Sequence, residues 1–200
     1  NDPVFQLQNA FRQLQQTDVE PMYLSLNDEL DKLYRKYVRG LRQMKSDEVF
    51  YPDANFTMRI AYGQVNGYRP KDAVKYNYYT TLSGVIDKDD PDVYDYDVPE
   101  KLKELYAQKD YGKYGEDGEM HVAFIATNHT SGGNSGSPVI NDEGHLIGVN
   151  FDRNWEGTMS DIMYDPSQCR NITLDIRYAL FIIDKFAGAG HLVDEMTLIE

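Results

Sequence analysis

Apolar residues in the first quarter of the chain recur every three or four positions. The first such stretch covers residues 3–14, and a second runs from about Ser25 to Met44. This spacing places apolar side chains on one face of a helix, so we predict two helices that form a helical hairpin. The two faces cannot fully cover each other, which indicates a further helical partner upstream of this chain. The apolar positions of the first helix are Val4, Leu7, Phe11 and Leu14.

The period changes to two after residue 52. Alternation of apolar and polar residues predicts a strand over residues 56–62, and further strands are expected at 78–86, 121–127, 138–140 and 145–151. Gly144 lies in the short turn between the last two strands, where a positive φ is needed. Short strands separated by turns are typical of a small β-barrel or sandwich. An amphipathic helix from Ile176 to Phe186 closes the pattern.

Charge and composition exclude several classes of protein. The chain has 20 Lys and Arg against 33 Asp and Glu, a net charge of −13, so a general nucleic-acid binder is not expected. A hydrophobic share of 41%, with 16 Tyr and 8 Phe, is sufficient for a packed core. No apolar run approaches the ~18 residues that would cross a bilayer. Cys169 is the single cysteine, so it cannot form an internal disulfide.

The most acidic stretch covers residues 87–100. Carboxylates at alternate positions can bind calcium, but the glycine and closing glutamate of a calcium-binding loop are absent from it. A solvated surface loop explains the charges without a ligand. We therefore predict no metal site in this stretch. The chain as a whole is also expected to use no metal and no organic cofactor.

Residues 131–138 carry the strongest chemical signal. They read Ser-Gly-Gly-Asn-Ser-Gly-Ser-Pro between a buried strand and a hairpin strand. Glycines let the backbone turn sharply, so that successive N–H groups can point to one place beside a serine. An oxyanion hole for acyl transfer needs this arrangement. A flexible glycine-serine turn and a phosphate-binding loop are the alternatives, but the lysine and the following helix of a P-loop are absent.

The string Gly133-Asn134-Ser135-Gly136-Ser137-Pro138-Val139 resembles the nucleophile loop of chymotrypsin-fold serine peptidases. When three later segments are included, the resemblance becomes more specific, and the chain then resembles the bacterial dipeptidyl-peptidase 7 and 11 family. This resemblance implies a chymotrypsin-like double β-barrel with an inserted helical domain. The supporting segments are residues 146–156, 175–178 and 184–190, with residues 51–57 upstream.

The resemblance implies a role for individual residues. Ser135 is the expected nucleophile, and the N–H groups of Gly133 and Ser135 the expected oxyanion hole. The His and Asp of the triad are expected in the first barrel, outside this chain, so the chain alone should be inactive. A role as base is not expected for any of its own histidines, although His129 is six residues from Ser135. The others are His121, His145 and His191.

Two further positions are expected to bind substrate. Arg153 stands eighteen residues after Ser135, where the acidic-residue-specific branch of the family is expected to carry arginine and the hydrophobic-specific branch glycine. A guanidinium binds a carboxylate in bidentate geometry, which favours Asp or Glu before the cleaved bond. Asp152 matches the position that anchors the substrate's free amino group. Adjacent strand residues face opposite ways, so both can reach one dipeptide only if the strand bends or bulges after Phe151.

The predicted fold is mainly β with flanking helices, the second barrel of such a peptidase plus the end of the helical domain. The expected parts are a helical hairpin over residues 1–48, a barrel half over 49–175 with an acidic insertion at 87–118, and a C-terminal helix and tail over 176–200. The predicted function is the release of dipeptides with Asp or Glu as second residue from the N-terminus of oligopeptides. The resemblance also implies a periplasmic or cell-surface location in a bacterium and a homodimer of the full-length protein. A relative preferring apolar residues and a non-catalytic peptide- or protein-binding barrel remain the alternatives.

Overall fold

A computed structural model describes residues 2–48, 50 and 55–199. The chain divides into two compact units, Asn1–Met58 and Arg59–Glu200. Helices and strands are both well represented, so the fold is mixed, and the prediction of a mainly β chain understated the helices. Part of the upstream segment that supported the family resemblance, residues 51–54, lies outside the described residues.

The first unit contains one continuous helix, so the prediction of a helical hairpin was wrong. Helix α1, Pro3–Leu14, passes through a π-helical turn, Gln15–Val19, into α2, Glu20–Met44. Pro21 has no N–H and would clash with the carbonyl four residues earlier in a regular helix. The π turn relieves that conflict without ending the helix, and the N–H of Glu20 bonds to the carbonyl of Gln15 instead.

The second unit is built on two antiparallel sheets. A two-stranded sheet pairs β1 with β2, and a five-stranded sheet has the order β3-β4-β7-β6-β5. The strands are β1 Tyr68–Lys71, β2 Val74–Tyr76, β3 Tyr79–Thr81, β4 His121–Ala126, β5 Pro138–Ile140, β6 Leu146–Arg153 and β7 Asn171–Asp175.

Helices of the second unit supply most of its apolar core. Leu82, Leu102 and Phe181 come from three different helices and are buried with Met120 in one cluster. A π-helical turn, Ile182–Phe186, follows α5, and 3-10 turns occur at Tyr94–Tyr96, Gly112–Tyr114 and Trp155–Asp161. The helices are α3 Leu82–Ile86, α4 Glu100–Gln108, α5 Ile176–Phe181 and α6 Gly190–Asp194.

The predicted strands and C-terminal helix had mixed outcomes. Strands β4, β5 and β6 were predicted, Gly144 has the expected positive φ of +84°, and the C-terminal helix begins at Ile176 and continues as the π turn. Residues 78–86 are a strand for only three residues before α3 begins, because Leu82 and its neighbours pack into the helical cluster. Strand β7 and helix α4 were missed.

Residues 56–62 contradict the prediction of a strand with one buried face. They have no regular structure, and the side chains that were expected to be buried are between 79% and 110% exposed. Alternation predicts a strand only where a second layer covers the apolar side, and no described residue covers these side chains. They are Phe56, Met58, Ile60 and Tyr62.

One residue of the acidic stretch, Asp89, is bonded to two other parts of the fold. Asp89 pairs with Lys103 of α4 at 2.6 Å and accepts a hydrogen bond from the N–H of Val98 at 2.9 Å. The bond to Lys103 is the main reason that the pKa of Asp89 is lowered. Among the described residues, no group of three or more His, Cys, Asp or Glu side chains is arranged to hold a metal ion. No helix within those residues is long and apolar enough to span a membrane.

Candidate active site

The loop between β4 and β5 presents Ser135 at the surface. Gly133 and Gly136 have φ of +104° and +85°, backbone conformations that residues other than glycine rarely adopt. Asn134 closes the turn, because its side chain accepts the N–H of Ser131 at 2.9 Å and its own N–H donates to the carbonyl of Ser131 at 3.1 Å. The glycines and the asparagine therefore fix the backbone on both sides of an exposed serine.

The hydroxyl of Ser135 points to the end of β6. Its Oγ donates to the carbonyl oxygen of Phe151 at 3.2 Å. No described histidine hydrogen-bonds to this hydroxyl, and His129 instead contacts the carbonyl oxygen of Ser160 through Nε2 at 3.0 Å. His129 also stacks on Tyr164 with 4.6 Å between ring centroids. The structure thus gives Ser135 no base from within the described residues.

The backbone N–H groups of Gly133 and Ser135 have no acceptor in the part of the chain that the structure describes. The next two N–H groups in the loop are both bonded. That of Gly136 donates to the carbonyl of Asn150 at 2.8 Å, and that of Ser137 donates to the carbonyl of Asn134 at 3.0 Å. Fixed N–H donors next to a nucleophile can stabilise the negative charge of an acyl-transfer intermediate.

Two buried asparagines, Asn150 and Asn171, connect this loop to the sheet through hydrogen bonds. Asn150 of β6 bonds to both sides of the loop, because its N–H donates to the carbonyl of Ser137 at 2.9 Å and its side-chain amide to that of Asn134 at 3.1 Å. Asn171 of β7 then donates to the Asn150 side-chain oxygen at 2.9 Å and to Thr173 Oγ1 at 3.1 Å. Sequence reasoning missed this network, although polar residues at alternate positions of two central strands were a signal for it.

Strand β6 has the irregularity that the candidate binding residues required. Asn150 pairs with Thr173 and Asp152 with Ile172, so Phe151 is an extra residue, a β-bulge. Both Phe151 and Asp152 are exposed as a result. The carbonyl of Phe151, the bulged residue, accepts the hydrogen bond from the Ser135 hydroxyl, so the bulge lies next to the serine.

Arg153 forms a fork-to-fork pair with Asp161. Its Nη1 donates to Asp161 Oδ1 at 2.8 Å and its Nη2 to Oδ2 at 2.5 Å, while Nη1 also donates to Ser160 Oγ at 2.8 Å. The hydrogen bonds to Arg153 lower the pKa of Asp161, and the same bonds raise the pKa of Arg153 against the effect of desolvation. Both groups are therefore ionised at neutral pH.

Asp152 is not linked to Arg153 through the two side chains. Its Oδ1 accepts the backbone N–H of Arg153 at 2.8 Å, which leaves the guanidinium to Asp161 and Ser160. No hydrogen bond joins Ser135 to Asp152 or Arg153 among the described residues. The structure brings the predicted site residues to one end of the sheet through the loop, the bulge and the end of β6.

A small cavity lies behind Arg153. It is lined by Arg153, His129, Tyr164 and Asn171, among others, and its volume of about 10 Å³ is room for about one water molecule. Within the described residues, the Oδ1 atom of Asn171 is the one buried side-chain polar atom without a hydrogen-bond partner. A water in this cavity would satisfy it.

The sequence was also compared with known proteins. The sequence profile of the Peptidase S46 family matches residues 1–198. An Asp/Glu-specific dipeptidyl-peptidase of Flavobacterium psychrophilum is 54% identical over 182 residues, which are 91% of this chain and 26% of that protein. A dipeptidyl-peptidase 7 of Phocaeicola vulgatus is 55% identical over 172 residues, 86% of this chain and 24% of that protein.

Solved structures give the same match. The crystal structure of Porphyromonas endodontalis DPP11 in complex with the dipeptide Arg-Glu has a TM-score of 0.76 and 55% identity, and the match covers 80% of this chain and 23% of that chain. This chain therefore spans about a quarter of the length of these relatives. The relative named Asp/Glu-specific dipeptidyl-peptidase and the relative named dipeptidyl-peptidase 7 are about equally identical to this chain, so overall identity does not distinguish between them.

Proposed function

Because this chain belongs to the Peptidase S46 family, we propose that it carries the nucleophile loop and the substrate-binding residues of a serine dipeptidyl-peptidase. The proposed reaction releases dipeptides with Asp or Glu as second residue from the N-terminus of oligopeptides. The observation that carries the proposal is the exposed Ser135 hydroxyl on a glycine-bounded turn, beside two backbone amides without an acceptor among the described residues.

Ser135 is the proposed nucleophile. Its Oγ attacks the carbonyl carbon of the second substrate residue, and the hydroxyl proton passes to a base. The carbonyl oxygen becomes an oxyanion that accepts hydrogen bonds from the N–H groups of Gly133 and Ser135. The base then protonates the leaving amine, and water releases the dipeptide from the acyl-enzyme. In this proposal the histidine base and its aspartate come from parts of the whole protein outside these 200 residues, in the first barrel of a chymotrypsin-like fold. The five-stranded antiparallel sheet is proposed to be part of the second barrel.

Arg153 is the proposed selector of acidic side chains. A cation on the end of β6, two residues after the carbonyl that accepts the Ser135 hydroxyl, suits a carboxylate next to the cleaved bond. Asp152 is exposed on the bulge and is the proposed partner of the substrate's free ammonium group, which would set the length of the released product at two residues. The solved DPP11 relative with bound Arg-Glu supports the same substrate class.

The remaining features of the whole protein are proposed on the family resemblance. They are a homodimer and a location in the bacterial periplasm or at the cell surface. A preference for apolar residues is the second candidate specificity, since dipeptidyl-peptidase 7 relatives are equally similar overall.

The test uses the whole protein and two dipeptidyl substrates that differ only in the second residue, Glu or Leu. We expect Glu to be strongly preferred, and we expect a fluorophosphonate probe to label the protein at Ser135. Ser135→Ala should abolish labelling and lower kcat by more than ~1000-fold while leaving the thermal midpoint unchanged. Equal cleavage of the two substrates would reject the acidic specificity. Absence of labelling would favour a non-catalytic binding protein.

A further inference from the structure

The guanidinium of Arg153 uses only part of its hydrogen-bonding capacity. Asp161 and Ser160 together accept both hydrogens of Nη1 and one hydrogen of Nη2. The Nε–H and the second hydrogen of Nη2 have no acceptor among the described residues. These two donors lie on the same edge of the planar group, so they form a second fork that matches a carboxylate.

The carboxylate of Asp161 is held in place by its own segment. Ser160 is buried, and its carbonyl oxygen contacts Nε2 of His129. Tyr164, three residues after Asp161, stacks on His129 and donates its hydroxyl to the carbonyl oxygen of Thr127 at 2.5 Å. The segment that carries Asp161 is therefore fastened to the chain just after β4, close in sequence to the Ser135 loop.

Two roles for this pair are physically possible, and they predict opposite effects. Asp161 could occupy the site of the substrate carboxylate and compete with it, or it could hold Arg153 so that the second fork is presented. A competitor would take the edge that the ligand needs, and its segment would have to move away. Here Asp161 binds the end of the guanidinium, its segment is fastened, and the side edge is left without an acceptor among the described residues, which favours the second role.

We propose that Asp161 is a positioning residue for acidic-substrate selection, holding the end of the Arg153 guanidinium so that its Nε–H and Nη2–H edge receives the substrate's Asp or Glu carboxylate. This inference rests on the proposed function, because it assigns the way in which Arg153 reads the substrate. The two carboxylates lie on different edges of one cation, so each is closer to the guanidinium than to the other carboxylate, and attraction exceeds repulsion. A long arginine side chain that is already immobilised loses less conformational freedom when the substrate binds.

The test compares Asp161→Asn with the unmodified whole protein on the Glu and Leu substrates. We expect KM for the Glu substrate to rise about tenfold with kcat within about twofold, because one neutral oxygen cannot hold both guanidinium nitrogens. Kinetics on the Leu substrate should be unchanged. Asp161→Glu keeps the carboxylate and should restore at least part of the loss. Asp142→Asn, in the exposed turn between β5 and β6, removes the same charge elsewhere and should have no effect.

The outcomes separate this inference from the proposed function. If the unmodified protein prefers Glu and Asp161→Asn leaves or lowers KM for the Glu substrate, Asp161 is a competitor or a bystander and only the present inference fails. An equal loss on both substrates would show a general structural role and would also overturn it. If the unmodified protein does not prefer Glu, both proposals fail. Should Asp161→Asn fold poorly, Ser160→Ala removes the third bond to Arg153, and a smaller rise in KM for the Glu substrate alone, about threefold, is then the required result.

Discussion

Arg153 and Arg170 lie at the same end of the five-stranded sheet but are bonded in different ways. Arg170 directly precedes β7, and Arg153 at the end of β6 pairs with the next residue, Asn171. Arg170 is 5% exposed and donates to four backbone carbonyls, with Tyr68 beneath its guanidinium at 5.5 Å. The carbonyls belong to Asn66, Gly67, Pro166 and Cys169.

Among the described residues, the guanidinium of Arg153 has acceptors for both Nη1 hydrogens and one Nη2 hydrogen only. Its side chain is 24% exposed, and its acceptors are a carboxylate and a hydroxyl from a single segment, residues 160–161. Arg170 uses four of its five N–H donors on backbone carbonyls, and an arginine bonded in this way joins segments of the fold together. An arginine that is held on one edge and still has a free pair of donors can also bind a ligand. A pair of adjacent donors without an acceptor therefore distinguishes a candidate binding arginine from a structural arginine when both are close to the same site.

The largest expected effect on stability is at Arg170. Arg170→Met should leave buried carbonyl groups without donors and cost about 3 kcal/mol in the free energy of unfolding. The measurement is chemical denaturation of the variant and the unmodified protein. Lys88→Met, an exposed lysine after α3, is the control for loss of a positive charge. A change below about 0.5 kcal/mol would contradict the view that this arginine holds the end of the sheet together.

A second change should affect substrate selection and leave stability nearly intact. Arg153→Met removes the proposed carboxylate receptor, so kcat/KM for the Glu substrate should fall by about 100-fold, or ~2.7 kcal/mol. The Leu substrate should be cleaved as well as before or better, because the pocket becomes apolar. The free energy of unfolding should change by less than about 1 kcal/mol, since the ion pair is partly exposed. An equal loss on both substrates would remove Arg153 from the specificity site.

The contrast between these arginines could not be predicted from the sequence. The motif around Ser135 was recognisable from its own residues, and Arg153 was singled out because its distance from Ser135 matches the acidic-residue-specific branch of the family that the sequence resembles. Two of the partners of Arg170, Asn66 and Gly67, are about a hundred residues away in the sequence, so the residues around Arg170 do not predict these contacts. The bulge at Phe151 was anticipated only as a requirement of two adjacent binding residues, and its position became evident from the pairing with β7.

The fold shows the same division between local and long-range information. The hairpin of β5 and β6 was predictable because its turn is specified by four consecutive residues ending at Gly144. Strand β7 was not predicted, since its buried positions are polar or charged, with Asn171, Thr173 and Asp175 all facing inward. Asn171 and Thr173 belong to the network with Asn150, and Asp175 bonds to Arg177. A pattern of apolar residues cannot reveal a polar interior layer.

A third arginine, Arg177, is expected to contribute least to the free energy of unfolding. Arg177 is 39% exposed and pairs with Asp175 and with Glu116, which is 53% exposed, so it is bonded to carboxylates as Arg153 is. The hydrogen bond to Arg177, followed by the attraction of its charge, lowers the pKa of Glu116. The folded protein thus favours the ionised form of Glu116 more than the unfolded chain does. The stabilisation is present above the ordinary carboxyl pKa and is lost as the pH falls through the lowered value.

Glu116→Gln should therefore lower the free energy of unfolding at pH 7 by no more than about 0.5 kcal/mol, because solvent screens an exposed pair. The difference from the unmodified protein should shrink as the pH falls below the ordinary carboxyl pKa and through the lowered value, because the carboxyl then becomes protonated in the folded state as well. Denaturation midpoints measured from pH 3 to pH 7 test this, with Glu119→Gln on the same turn as the matched loss of charge. A difference that is equally large at both ends of the range would mean that Glu116 acts through packing. Exposed arginine–carboxylate pairing at this position would then contribute little to the free energy of unfolding.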